Sequence, residues 1–432
     1  MLNSTDAVDY DNIERVVSRQ PIDAINSQFY GKFPYPWSPH IIRRLADPAF
    51  ERQLLDQSIG SWSTGVLPAR PRIWVAGCGT NQAVLTALRF PTAQVLGTDL
   101  SAESLAASRQ LADEFAVTNL ELRAESINDA EHAGAFDHVI CTGVIHHNAD
   151  PQAALARLAG ALTQDGVLEL MVYNRYHCVE AMAVQKAMAI IGAADAEATL
   201  DSELALAKSL VAGRDELKQR VARFFPGMEY SDAAVADALI QPVMHTFTVL
   251  DLQRMANSCG LDVAVPCVNQ FDVARNCFDW NSRIPDPELR EKYEALDDVA
   301  RWQVTNLIGL EQSPMIWFYL RRSGATRPRR PEREILAEFS EQVFEVAETT
   351  SQKFVRTESG KYEPAGRPAR YPARPAGELC TKIVARVAER RRARMRDVLA
   401  ELAMPDDFAT LSQLRVRLTT TAFPYLRSVR SA

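Results

Sequence analysis

The chain is poor in cysteine, and its cysteines have no spacing that would pair them. The seven in 432 residues fall at 78, 141, 178, 259, 267, 277 and 380. The number is odd and no CxxC occurs, which argues against a disulfide framework and a zinc site. Several sit in apolar, strand-like runs such as Val139-Ile140-Cys141, the pattern of reduced, packed thiols in a cytoplasmic protein. Long hydrophobic runs are missing too. The most apolar helix-like stretch, Ala181 to Ala194, contains Gln185 and Lys186 and is too short to cross a bilayer. Met1 to Tyr10 is polar and acidic, so no secretory signal is read there. Positive charge is not in surplus either. A net charge of −7 gives no case for a nucleic-acid partner, which usually needs a basic surface.

That charge is unevenly spread. From Arg321 to the end, 23 Lys and Arg stand against 14 Asp and Glu. This basic tail reads as a solvated, Arg-rich helix surface in preference to a docking patch. Three regions are expected: a helical and aromatic segment over 1–70, an α/β domain over 71–322 with a helical insertion at about 178–245, and a mainly helical region over 323–432. A homodimer through the insertion or the C-terminal region is one expectation for partners.

What is present starts at residue 72. Arg72-Ile73-Trp74-Val75-Ala76-Gly77-Cys78-Gly79-Thr80 reads as a buried strand and a glycine turn. A helix follows, then the strand Gln94-Val95-Leu96-Gly97-Thr98-Asp99. Glycine lets backbone approach a ligand closely. A carboxylate about 20 residues beyond such a turn can take both hydroxyls of a ribose. The dinucleotide fingerprint GxGxxG would need a third glycine, and Gln82 stands there. Loss of that glycine suits a nucleoside ligand without phosphates, such as S-adenosylmethionine. Downstream, Leu120–Arg123, Phe136–Cys141 and Val167–Tyr173 read as further strands with helices between them, the signature of a parallel sheet covered on both faces. Leu261–Val265 and Ser313–Arg321 add a late pair, one of them expected to run antiparallel at the edge.

Three ordered stretches carry a resemblance. They are Val75-Ala76-Gly77-Cys78-Gly79-Thr80, then Val95 to Ser101, then Phe136 to Pro151 followed by Asp165-Gly166-Val167-Leu168. The chain resembles the class I, Rossmann-like S-adenosylmethionine-dependent methyltransferases, and with Pro34-Tyr35-Pro36 it looks most like the branch with that segment ahead of the fold. The resemblance implies a seven-stranded sheet and S-adenosylmethionine as cofactor, with no metal. It implies that Ala76, Gly77, Cys78 and Gly79 line the methionyl side, that Asp99 binds ribose, and that Leu100 packs on adenine. Glu125, Ser126 and Ile127 stand where the adenine contact is expected, with Ser126 in place of the family's usual aspartate. Thr142 and Gly143 would sit near the sulfonium.

On the acceptor side, Tyr173, Asn174, Arg175 and Tyr176 end the fifth strand, where ligands of such sheets gather. Arg175 reads either as a clamp for an anionic group or as a surface partner of an acid. His147 reads as an acid–base group near neutrality or as a helix-entry residue. His245, after the insertion, returns to the pocket mouth or is satisfied locally. His147, Tyr176 and His245 are the candidate catalytic residues; Tyr30, Tyr35, Trp37, Asn174 and Arg175 the candidate acceptor contacts. The expected function is methyl transfer to a small-molecule acceptor, with no nucleic-acid or membrane partner. Docking of a macromolecule by the basic tail, or a non-catalytic scaffold, are the alternatives.

Overall fold

Apolar runs bounded by turn residues become strands of one central sheet, because each can bury both faces at once. The computed structural model describes residues 21–62, 65–192, 199–222, 231–373, 375 and 377–429. The segment Met1–Tyr10 and the end of the apolar stretch 181–194 lie outside the described residues. Ahead of the sheet come α1 (Ile22–Lys32), β1 (Ile41–Leu45) and α2 (Phe50–Ser58). Then β2 (Arg72–Ala76), α3 (Gln82–Arg89), β3 (Gln94–Asp99), α4 (Ala102–Glu114), β4 (Leu120–Ala124), β5 (Phe136–Thr142), α5 (Pro151–Ala161) and β6 (Leu162–Val172) follow. Four helices interrupt the alternation: α6 (Val179–Gly192), α7 (Leu200–Ala212), α8 (Asp215–Ala222) and α9 (Asp232–Leu239). After them come α10 (Val249–Ser258), β7 (Leu261–Pro266), α11 (Gln270–Arg275), α12 (Pro287–Glu294), α13 (Asp298–Gly309) and β8 (Ile316–Arg322).

The seven-stranded sheet has the order β4-β3-β2-β5-β6-β8-β7. Its first five strands are parallel. Only β8 runs against its neighbours. The fold is thus α/β with a Rossmann-like sheet. One detail differs from expectation: the reversed strand is not at the edge. β8 inserts between β6 and β7, and β7 takes the edge. The all-apolar Ile316, Phe318 and Leu320 are fully buried, which an edge position would leave half covered. Alternate residues feed two cores, Ile73, Val75 and Ile140 on one face and Trp74, Ala76, Val139 and Cys141 on the other. Helix starts are capped locally: Ser101 Oγ accepts the Ser104 N–H at 3.1 Å, and Asp150 caps α5 with Pro151 at its first turn.

The C-terminal region carries short strands as well as its helices. It holds α14 (Glu332–Glu341), β9 (Val343–Val346), β10 (Thr349–Arg356), β11 (Tyr362–Pro364), β12 (Ala369–Tyr371), α15 (Glu378–Arg390), β13 (Ala393–Arg394), α16 (Met395–Glu401), α17 (Phe408–Thr419) and β14 (Leu426–Ser428). β9 joins β13 and β14, while β10 pairs with β11, β12 and the distant β1, Ile41 opposite Val355. β1, ahead of the central sheet, and this region therefore share a sheet. All seven cysteines are unpaired.

Candidate functional site

The site begins where β2 stops. Gly77 and Gly79 have φ of +70° and +56°, a region that costs a residue with a Cβ. A Cβ on Gly79 would lie 2.4 Å from the Tyr35 carbonyl oxygen, and one on Gly77 would lie 2.5 Å from Val144 Cγ2. Both positions therefore need glycine. The turn is read out by Asp99 at the end of β3. Its Oδ2 accepts the Gly79 N–H at 2.7 Å and its Oδ1 accepts the Ser101 N–H at 2.9 Å. The carboxylate lines a cavity of about 340 Å³. Burial raises the Asp99 pKa, and the backbone N–H bonds oppose that rise.

Two segments close over this edge. The Tyr35–Trp37 strap is tied to the glycine turn: the Thr80 N–H donates to Tyr35 O at 3.2 Å, and Asn81 Nδ2 donates to Trp37 O at 3.0 Å. The α1 helix supplies Asp23, which accepts from Ser126 Oγ at 2.6 Å and Asn128 Nδ2 at 3.0 Å. Gln82, standing where a dinucleotide site would have its third glycine, donates through Nε2 to Thr142 Oγ1 at 2.7 Å. It links the turn to the end of β5.

Beyond Thr142 and Gly143 the cavity meets Tyr30, His147, Tyr173 and Asp237. Asp237 comes from α9 and is only 8% exposed. The Tyr173 hydroxyl donates to its Oδ2 at 3.3 Å. Burial pushes the Asp237 carboxyl up to about 7, with the Tyr173 bond pulling the other way. Gln241 Nε2 donates to the Tyr30 hydroxyl at 3.0 Å. His147 Nδ1 lies 2.7 Å from Val243 O, so that nitrogen carries the hydrogen. Burial lowers its pKa to about 4, which leaves the ring neutral with an acceptor at Nε2.

Gly77, Gly79, Asp99, Leu100, Glu125, Ser126, Ile127, Thr142, Gly143, Tyr30, Tyr35, Trp37 and His147 all line this one cavity. Six other candidates do not. Ala76 and Cys78 are fully buried, one in each core; they hold the turn from behind. Asn174 is buried away from the cavity and donates to Ser313 Oγ at 2.7 Å. Arg175 points outward and pairs with Asp251 at 3.0 Å. Tyr176 sits in the turn that Asn174 Oδ1 organises through the Tyr176 N–H, at 3.1 Å. His245 N–H donates to His146 O at 2.8 Å, and its side chain is off the wall. At the end of β6, Met171 and Tyr173 line the cavity and Asn174 faces away, while Arg175, past the end of the strand, is held by Asp251. Asp23, Asn26 and Asp237 carry no signal in the sequence that places them here. Among the described residues, no group of three or more His, Cys, Asp or Glu could hold a metal ion, and no helix is long and apolar enough to cross a membrane.

Residues 74–168 match the family described as "Methyltransferase domain". An uncharacterised protein of Synechococcus sp. is 27% identical over 243 residues, 54% of this chain and 58% of that protein. A ubiquinone biosynthesis O-methyltransferase of Xanthomonas axonopodis pv. citri is 34% identical over 119 residues, 27% of this chain and 49% of that protein. The chain spans about half the length of these curated relatives. The structure of PKMT2 from Rickettsia typhi in complex with AdoHcy superposes with a TM-score of 0.55 at 16% identity, over 92% of this chain and 78% of that one. The fold is that of the class I methyltransferases.

Proposed function

We propose that the chain transfers a methyl group from S-adenosylmethionine to a small-molecule acceptor. One observation carries the reading: the glycine turn and Asp99 form a preorganised carboxylate at the C-terminal edge of β3, in the cavity wall. The residues fit the cofactor. Gly77 and Gly79 permit the tight turn that holds Asp99 at the cavity wall, the Asp99 carboxylate is the acceptor for the ribose hydroxyls, and Asp23, Glu125 and Ser126 offer polar atoms for an adenine edge. When bound, the cofactor supplies an electrophilic methyl group on its sulfonium. The placement of Pro34-Tyr35-Pro36 on the glycine turn supports the branch that carries this segment.

Positioning does much of the work in such transfers, and the acceptor end adds a proton acceptor. The Asp237 carboxyl, divided between its two forms near neutral pH, can take a proton from an acceptor hydroxyl or amine. His147 offers Nε2 as a second acceptor. Helices α1, α6 and α9 and the strap enclose the chamber, which favours a small molecule. Part of the basic C-terminal region is neutralised within the chain. Arg394 and Arg396 pair with Glu341, and Arg427 and Arg392 with Glu345.

Asp99→Ala tests the reading by calorimetric titration with S-adenosylhomocysteine. Two hydrogen bonds to a charged acceptor at about 1.5–3 kcal/mol each predict at least about a hundredfold loss of affinity. Unchanged affinity in a folded variant would remove the basis for the proposal.

A further inference from the structure

On β8, Trp317, Tyr319 and Arg321 share one face. Trp317 lines the cofactor cavity. Four residues on, roughly 13 Å along a strand, Arg321 lines a second cavity of about 370 Å³. This cavity lies between the sheet, α14 and the loop after α2. Arg321, Arg327, Arg329 and Arg330 all contribute to its wall, together with Ser61 and Thr326.

Three of the four guanidinium groups are accounted for. Arg327 Nη1 donates to Gly65 O at 2.6 Å, and Arg329 Nε donates to Val263 O at 2.7 Å while its Nη2 holds Asp298. Arg330 holds Glu338 and the Gly60 carbonyl. Arg321 is different. It is only 7% exposed, and its Nε and Nη2 are buried without a hydrogen-bond partner. Asp165 acts on it only through space, because the Asp165 oxygens are taken by Thr326 Oγ1 and the Arg327 N–H. Glu338, the one acid among the residues lining this wall, is engaged by Arg330, and Asp298 by Arg329. A buried, unpaired cation is costly, and its cost is relieved by an anion in the adjoining space.

We propose that this cavity is a binding site for a small phosphorylated anion, with Arg321 at its floor and Arg327 at its mouth. Four guanidinium groups around one space, one of them with unpaired nitrogens, match a tetrahedral group with many acceptor oxygens. Ile59, Trp62 and Ile335 supply an apolar wall for an organic portion. The site is distinct from the methyl-transfer cavity and stands without it.

The test follows the thermal-unfolding midpoint of the full chain against inorganic phosphate, and separately ribose 5-phosphate, with sodium chloride holding ionic strength constant. A ligand that binds only the folded state raises the midpoint with concentration. The wild type is expected to show a saturable rise, and Arg321→Met to show none, with its ligand-free midpoint equal or higher. A rise with ribose 5-phosphate well below the phosphate concentration needed assigns the apolar wall to the organic part; equal concentrations assign the site to the phosphate alone. No saturable rise in the wild type, or the same rise in Arg321→Met, overturns the proposal. Should Arg321→Met not fold, Arg327→Gln at the exposed mouth decides: about a tenfold higher half-saturating concentration supports the site, and an unchanged one overturns it.

Discussion

Replacing Asp237 by Asn should make the protein more stable near neutral pH, by an amount that depends on pH in a defined way. The carboxyl is 8% exposed and accepts one hydrogen bond, from Tyr173 at 3.3 Å. Burial moves it from an ordinary 3.8 to about 7. A carboxyl with a raised folded-state pKa holds its proton more tightly in the folded than in the unfolded chain. Stability therefore falls as pH rises from about 4 to about 7 and is flat above. The cost is about 2 kcal/mol at pH 5 and about 4 kcal/mol at pH 8. Asn carries no charge at either pH, so the variant should gain on the wild type by about 2 kcal/mol between those two pH values. Urea unfolding at pH 5 and pH 8 measures it. Asp272, buried and also pushed to about 7, titrates in both proteins and cancels in the comparison. Parallel stability curves for the two proteins would refute the reasoning. The same variant should lose the limb of the methyl-transfer rate that rises near pH 7.

Two other substitutions probe the boundaries of the site and of the fold. Arg175→Ala should leave turnover and acceptor KM within about twofold in a steady-state assay, because Arg175 pairs with Asp251 outside the cavity and exposed ion pairs contribute about 0–1 kcal/mol. Glu332→Ala should destabilise by about 3–5 kcal/mol in denaturant titration. Glu332 is 2% exposed, contacts Arg301 at 3.4 Å and Arg415 at 3.9 Å, and accepts from Trp302 Nε1 at 3.3 Å, so its loss strands buried cations where α13, α14 and α17 meet.

That Gly77, Gly79 and Asp99 share one cavity wall was legible because their chemistry is local. A strand, two glycines and an aspartate at fixed spacing define both a backbone conformation and a carboxylate position, and the structure joins them through the Gly79–Asp99 bond. The acceptor half was not legible, for two physical reasons. The phase of β6 at its end decides whether Tyr173 or Asn174 faces inward, and the run Tyr173-Asn174-Arg175-Tyr176 is polar on both sides. Asp237 comes from a helix whose docking depends on contacts far along the chain. The C-terminal strands were hidden in the same way. Val343-Phe344-Glu345-Val346 follows a helix without a glycine or proline break, and β10 is selected by its pairing with β1, a partner no local window contains.

The two halves also differ in what holds them. Gly77, Gly79, Asp99 and Thr142 sit at the ends of parallel strands whose registers are set by the central sheet. Tyr30, Trp37 and Asp237 sit on a helix, a strap and an inserted helix that meet over the cavity, with Phe29, Phe33 and the apolar residues of α6, α7 and α9 in a core of their own. That core is separate from the two that bury the sheet. A change of side chains on the cover can therefore reshape the acceptor chamber at little cost to the sheet, while Asp99 cannot move without breaking its bonds to Gly79 and Ser101. On the proposed function, acceptor choice falls to the cover, whose side chains pack apart from the sheet, and cofactor binding to the turn that the sheet holds in place.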